Sequence, residues 1–496
     1  MKKLFSLLLV FAMLLALCAC TATENPGDST AESTLETVLD PAVDSDFLAG
    51  YGFGDITPEK GAPLLGYGND STRLTTGFKS YLYSMCLAVQ DNKGTTAMLI
   101  SVDSAALSES ICNTIKAKIQ TETGVPASNI ILSAIHQHST PNYSSSSAYS
   151  AEVSASALKY KDVLVNGTVQ AAVDAYADLA PAEMYVTSIE TESLNFVRNY
   201  VCNDGTYFGD NYGSSASGIK DHESVADATL QLLKFVRGGG KKDIIAANFQ
   251  GHPHMGASSS DTNAHSDTVG VFRDTLADEL DCNVIYFSGA GGNINMTSRI
   301  KEENVYTSMY THGARLAEYA VEAEGTYKKV ETGLVQVQTS TKLYNTDKSQ
   351  EALYEQAVAF MKIWNEQGIK AAQAAIKTDE YKDVFHSIYH AKYVVIKHDL
   401  PSKRSLSLYA ISFGDVAFTG APCEQFDTNG DEIKSGSPFE MTFITTQTNG
   451  CDGYIPSIIG YTNGGYSTDI TRYAPGTGEQ VAQDFVTMLT QMHDAG

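Results

Sequence analysis

Five apolar runs along this chain stop at residues able to bind a metal or move a proton. That repeated arrangement limits the fold more than any single motif does. His136, His252, Asn293, Glu424 and Tyr454 each follow the end of a predicted strand. In α/β sheets, ligands and reactive groups gather at the carboxyl ends of strands. One converging site is therefore expected, on an α/β fold whose mixed β-sheets are covered by helices.

The predicted elements support that layout. Tyr81–Val89 and Thr95–Val102 flank the turn Asp91-Asn92-Lys93-Gly94, a hairpin pattern. Ser108–Glu122 has helical spacing and stops before Gly124-Val125-Pro126, and Asn129–Ile135 is an apolar strand. Strand, helix, strand in that order predicts a parallel unit. Helices are expected near Glu152–Leu179, over Thr268–Leu280 and Ser308–Glu324, and over roughly Gln350–Ile376, which reads as an added layer. Thr229–Val236 and Ile244–Gln250 form a second hairpin pattern around three glycines, and Asn283–Phe287 reads as a buried strand. Leu406–Phe413, Val416–Thr419 and Phe439–Thr446 read as further strands. The expected domain plan is residues 1–20 as a signal, 21–46 as a tether and 47–496 as one large domain with a helical insertion at about 348–380.

The N-terminus has two lysines and then an apolar stretch from Leu4 to Leu17, the pattern of an export signal rather than a span. Leu17-Cys18-Ala19-Cys20 resembles a bacterial lipobox, making Cys20 the expected lipidated N-terminus on the extracytoplasmic side of a membrane. Residues from Thr21 to about Asp46 carry too few large apolar groups to order themselves. A net charge of −24 argues against nucleic acid as partner, since phosphate rewards basic patches. None of the six later cysteines forms a C-x-x-C pair, so a cysteine-rich zinc site is not expected; Cys423 and Cys451 could form a bridge.

The chemistry begins with His136 and His138 in Ala134-Ile135-His136-Gln137-His138. Residues two apart on an extended chain share a face, so both imidazoles point one way. His252 is held by Pro253, which ends its strand, and Glu424 follows Gly420-Ala421-Pro422. Two histidines and a glutamate form a catalytic zinc shell with an open position. His138 is placed to act as a base beside it. His386 and His390 stand four apart, but no glutamate follows His386, so they read as structural. His254 and His265 could belong to a second site.

The chain resembles the neutral ceramidases, zinc-dependent amidases that split N-acyl-sphingosine. The resemblance runs in order through Gly52-Phe53-Gly54-Asp55-Ile56-Thr57-Pro58, Gly66-Tyr67-Gly68, Ser101-Val102-Asp103 and Leu132–Ser139. It continues through His252-Pro253, Asp267-Thr268-Val269-Gly270, Pro422-Cys423-Glu424 and Asn449-Gly450-Cys451-Asp452-Gly453-Tyr454. It implies a neutral-ceramidase-like catalytic domain with His136, His252, Glu424 and Tyr454 around one zinc ion. It also implies His138 as proton carrier and Arg198 as a grip on substrate or oxyanion. The family's serine position is held by Asn295, which can donate to an oxyanion but cannot form an acyl-enzyme. The family's extra C-terminal β-domain is expected to be missing, and Tyr466-Ser467 replaces a family Tyr-Glu pair.

The sequence therefore predicts a lipid-anchored, zinc-dependent amidohydrolase acting on a small-molecule amide or a lipid. Two alternatives stay open: a hydrolase of another amide or an ester on the same scaffold, and a non-catalytic binding lipoprotein. A purely structural envelope protein is a third.

Overall fold

The computed structural model describes residues 43, 45–209 and 217–495. Its first strand, Leu48–Asp55 (β1), has glycine at positions 50, 52 and 54, so one face of the strand is bare backbone. The 27-residue helix Ala151–Ala177 lies directly on that face. A Cβ on Gly50, Gly52 or Gly54 would come within about 2 Å of the Ala175, Ala171 or Gly167 carbonyl oxygen. The glycines of the opening motif thus serve contact between helix and sheet.

The hairpin Tyr83–Gln90 (β2) and Thr96–Val102 (β3) leads through the helix Glu109–Thr123 (α1) to Ile130–Ala134 (β4), which pairs parallel to β3. Ser108 caps α1 through the Ile111 N–H, and Gly124 ends it with a φ of 78°. After Ala151–Ala177 (α2) come Ala180–Glu190 (β5), Thr229–Arg237 (β6) and Ile244–Phe249 (β7). The helix Asp267–Leu280 (α3) then carries the chain to Asn283–Ser288 (β8), parallel to β7. The helix Met309–Glu322 (α4) and the strand Lys328–Val330 (β9) follow. Among the described residues this sheet has nine strands, in the order β8-β7-β6-β5-β1-β2-β3-β4, with β9 also pairing to β5.

A second sheet follows, with Val335–Asn345 (β10), Lys403–Phe413 (β11), Val416–Gly420 (β12) and Met441–Thr445 (β13). Its last two strands are parallel, joined across the helix Asp427–Gly436 (α8). Between β10 and β11 stand the helices Tyr354–Gln367 (α5), Ile369–Ala375 (α6) and Ile388–Asp399 (α7). The short helix Tyr466–Ile470 (α9) and the helix Thr477–Ala495 (α10) close the chain.

Strand alternation sorts the core into layers. In β2, Met85, Leu87 and Val89 face one way and join Ile411, Phe413, Phe418 and Phe443 of the second sheet. Cys86 and Ala88 face the other way, against Ile111 and Ile115 of α1 and Leu164 of α2. The two sheets therefore pack face to face, with helices outside both. α3 and α4 cover β7 and β8, while α8 and α10 cover the second sheet. Among the described residues, no helix is long and apolar enough to cross a membrane.

The sequence pattern gave no sign of β5 and β10. β5 begins Ala180-Pro181 and alternates buried with partly or fully exposed residues, and β10 is exposed or partly exposed at all but two of its 11 residues. The expected continuous helix over 350–376 is broken at Gly368, whose φ of 86° ends α5. Residues 1–42, including Cys20 and most of the expected tether, lie outside the described residues.

Candidate metal centre

The parallel strand pairs point their carboxyl ends to one edge, where the sheets are stitched together. Asn449 accepts the Leu132 N–H through Oδ1 at 3.0 Å and gives its own N–H to the Leu132 carbonyl at 2.8 Å. Ser133 Oγ donates to the Thr446 carbonyl at 2.7 Å, and Asn248 Nδ2 donates to the Ile444 carbonyl at 2.9 Å. β4 and β7 are thereby registered against the end of β13 and the loop after it.

His136 lies two residues past β4 with a φ of 61°, a left-handed conformation that is uncommon for residues other than glycine. Its N–H donates to the Ser104 carbonyl at 3.0 Å. Its Nδ1–H donates to the Ala105 carbonyl at 2.7 Å, which leaves the Nε2 lone pair facing inward. His252, three residues past β7, repeats the device: Nδ1–H donates to the Ile294 carbonyl at 2.9 Å. A carbonyl holding the outer nitrogen fixes the tautomer that metal binding needs. Glu424 sits beside Tyr454 in a short parallel pairing, and Gly292 lets the neighbouring loop approach. A Cβ at residue 292 would lie 2.7 Å from the Glu424 carbonyl oxygen.

These three side chains meet. Glu424 Oε2 lies 3.2 Å from His136 Nε2 and 3.1 Å from His252 Nε2, and the three candidate ligand atoms fall within 4.8 Å of one another. Tetrahedral zinc with bonds of about 2.0–2.1 Å holds its ligands about 3.3 Å apart, so the spacing fits one ion. The electrostatics fit as well. Burial opposes ionisation of Glu424, but His136 and His252 outweigh it and hold the carboxyl well below its usual range. Burial, with Arg198 adding, pushes His252 down to about 3, so this imidazole is neutral at working pH.

A cavity of about 430 Å³ opens beside this cluster. His138, Arg198, His254 and Tyr454 line it with Tyr67, Tyr389 and Tyr466. His138 Nε2 lies 3.4 Å from His136 Nε2, and burial with the surrounding imidazoles holds it neutral, well below 6.5. Arg198 is buried; its guanidinium donates to the Gly292 carbonyl at 2.8 Å and Ser467 Oγ at 3.0 Å and stands 5.4 Å from the Tyr454 ring. Burial pushes the Tyr454 phenol well above its usual range, with Glu424 adding and Arg198 opposing. Asn295 is buried and reaches the cavity through His254, whose Nε2 lies 3.1 Å from Asn295 Oδ1.

Other candidates go elsewhere. Asn293 was expected to converge, but its Nδ2 donates to Asp427 Oδ1 at 2.7 Å and its Oδ1 accepts the Asp427 N–H at 2.9 Å. It ties this loop to the start of α8. His265 turns away to Asp261, 3.4 Å from its Nε2. Cys423 and Cys451 are both free thiols, so no bridge joins them. His386 and His390 meet Asp469, a partner 79 residues beyond His390 that local spacing could not reveal. His254 was visible only as the second histidine of a His-Pro-His run.

Residues 47–283 match the family model for neutral/alkaline non-lysosomal ceramidases, N-terminal domain. That stretch, a little under half of the chain, is similar to the neutral ceramidase family. It holds His136, His138, Arg198 and His252, while Asn295, Glu424 and Tyr454 come from the chain beyond the match. Two solved structures share the fold. Neutral ceramidase from Pseudomonas aeruginosa aligns at 16% identity and a TM-score of 0.65, over 91% of this chain and 75% of that chain. A ceramidase complexed with C2 aligns at 16% identity and a TM-score of 0.66, over 91% and 76%. No curated protein is matched by sequence.

Proposed function

We propose that this chain is a zinc-dependent amide hydrolase, with one catalytic ion held by His136, His252 and Glu424 and Tyr454 as a fourth ligand. The observation that carries the reading is the convergence of two Nε2 atoms on one carboxylate, each imidazole fixed from behind by a backbone carbonyl. Bound zinc would supply Lewis-acid polarisation of a carbonyl and hydroxide at neutral pH. His138, neutral and facing the cavity, takes a proton from the attacking water and returns it to the departing amine. Arg198 stands on the cavity wall as a hydrogen-bond donor to the developing oxyanion. Asn295 holds His254 in place at that wall.

The lining favours a particular substrate. Four tyrosines, two histidines, Arg198, Ser387 and two glycines form the wall, and no aliphatic side chain is among them. The apolar surface there comes from tyrosine rings that share the wall with polar groups, so a short or polar N-acyl group, or an ester of similar size, suits it. This supports the second reading, a hydrolase of an amide or ester other than ceramide. We place the enzyme outside the cytoplasmic membrane, held by lipid on Cys20, with residues 47–496 as its catalytic domain. The test is hydrolysis of a graded series of N-acyl amides and esters, from acetyl to palmitoyl, by the zinc-loaded and chelator-stripped protein. Turnover that falls with chain length and vanishes with chelator supports the reading. Zinc binding with no turnover anywhere would instead favour a binding lipoprotein.

A further inference from the structure

A second cluster of metal-ligating side chains lies on the helices beside the cavity. His386 precedes α7 and His390 sits in its first turn, where Ser387 caps the helix through the His390 N–H. The spacing of four brings their rings to 4.8 Å, tilted 30°. Asp469 of α9 reaches across, its Oδ2 2.8 Å from His386 Nδ1 and 3.8 Å from His390 Nδ1. One nitrogen of each imidazole and one carboxylate oxygen all fall within 4.8 Å of one another.

We propose that His386, His390 and Asp469 form a second site for a borderline divalent cation, zinc or a similar late first-row ion, which ties α7 to α9 at the cavity rim. Two imidazoles and a carboxylate are the donor set such ions take. The separations of 2.8 and 3.8 Å bracket the ~3.3 Å that one tetrahedral ion imposes on its ligands. His390 is buried, and its Nδ1, the nitrogen that faces Asp469, accepts the His386 N–H at 3.2 Å, a bond that an ion would replace. His386 keeps 59% of its side chain exposed, which gives an ion a way in and leaves room for water ligands. The position links the site to the cavity: Ser387 and Tyr389, from the same turn, and Tyr466 of α9 all line it. Occupancy would fix the spacing of that wall. The rival account is a plain His386–Asp469 ion pair.

The chain's single tryptophan makes the test direct. Trp364 of α5 packs 5.8 Å from the Tyr389 ring, which lies between the two histidines. Chelator-stripped full-length protein would be titrated with Co²⁺ while its tryptophan emission is followed. Zinc content after desalting would be measured in parallel. The expected results are two zinc equivalents in the wild type and one each in His386→Ala, Asp469→Asn and His252→Ala. Co²⁺ should quench Trp364 in the wild type and in His252→Ala, and require at least tenfold more metal in His386→Ala. His386 is exposed, so that variant tests binding without disturbing a core. Equal zinc content and equal quenching in wild type and His386→Ala would overturn the site in favour of the ion pair. A single equivalent lost in His386→Ala but kept in His252→Ala would support it while removing the metal from the proposed catalytic centre.

Discussion

The two histidine clusters use similar donors in opposite settings. His136, His252 and Glu424 stand on loops after parallel strands, and both imidazoles are locked by carbonyls from the sheet edge. His386, His390 and Asp469 stand on short or capped helices beyond the second sheet, with one imidazole half out in solvent. The first arrangement holds its donors fixed and mostly buried. The second leaves one imidazole open to solvent. Fixed donors suit chemistry, because transition-state charge is best met by groups that need no reorganisation. Exposed donors suit tethering one element to another.

The sharpest way to break this contrast is Glu424→Gln. It should lower kcat/KM about a thousandfold or more, since a bound metal supplies several kcal/mol, and it should empty only the first cluster by zinc analysis. Loss from both clusters together would mean they are not independent. Next, His138→Ala should lower kcat by about 100- to 10,000-fold while zinc content stays unchanged. A matching loss of zinc would make His138 a ligand and not a proton carrier.

The scaffold beneath the first cluster can be tested apart from its chemistry. Asp103, at the end of β3, holds Arg273 of α3 by two bonds of 2.8 Å, and both residues are buried. Asp103→Ala leaves the guanidinium unpaired and should cost about 3–5 kcal/mol in urea unfolding. A change under 1 kcal/mol would show that water reaches this pair.

The smallest effect expected is a pH-dependent one. Burial, with Asp227 adding, raises the Asp427 carboxyl from 3.8 to about 6. The folded state therefore binds this proton more tightly than the unfolded chain, and ionisation opposes folding. Below about pH 4 the penalty is absent; it grows to about 3 kcal/mol at most by pH 6 and stays constant above. Asp427→Asn should match the wild type at pH 4 and exceed its stability increasingly up to pH 6. A difference that does not vary with pH would refute the assignment.

Much of the site was legible because strand ends are. His136, His252 and Glu424 each follow an apolar run, and the sheets bring those runs to one edge. Asn293 follows such a run too, yet a capping bond to Asp427 takes it away; proximity to a strand end does not say where a side chain turns. The Gly50, Gly52 and Gly54 spacing was visible as a motif, but its meaning depends on where α2 lies. β5 and β10 were missed since partly exposed strands lack the apolar signature of buried ones. The His386–His390–Asp469 cluster was missed because its third member arrives from a distant helix, which local spacing cannot encode.

The most direct test of the central claim is diffraction from crystals of the zinc-loaded full-length protein, recorded on both sides of the zinc absorption edge. The account predicts an anomalous peak about 2.0–2.2 Å from His136 Nε2, His252 Nε2 and a Glu424 oxygen. Density showing Glu424 hydrogen-bonded to both imidazoles, with no anomalous peak among them, would contradict it.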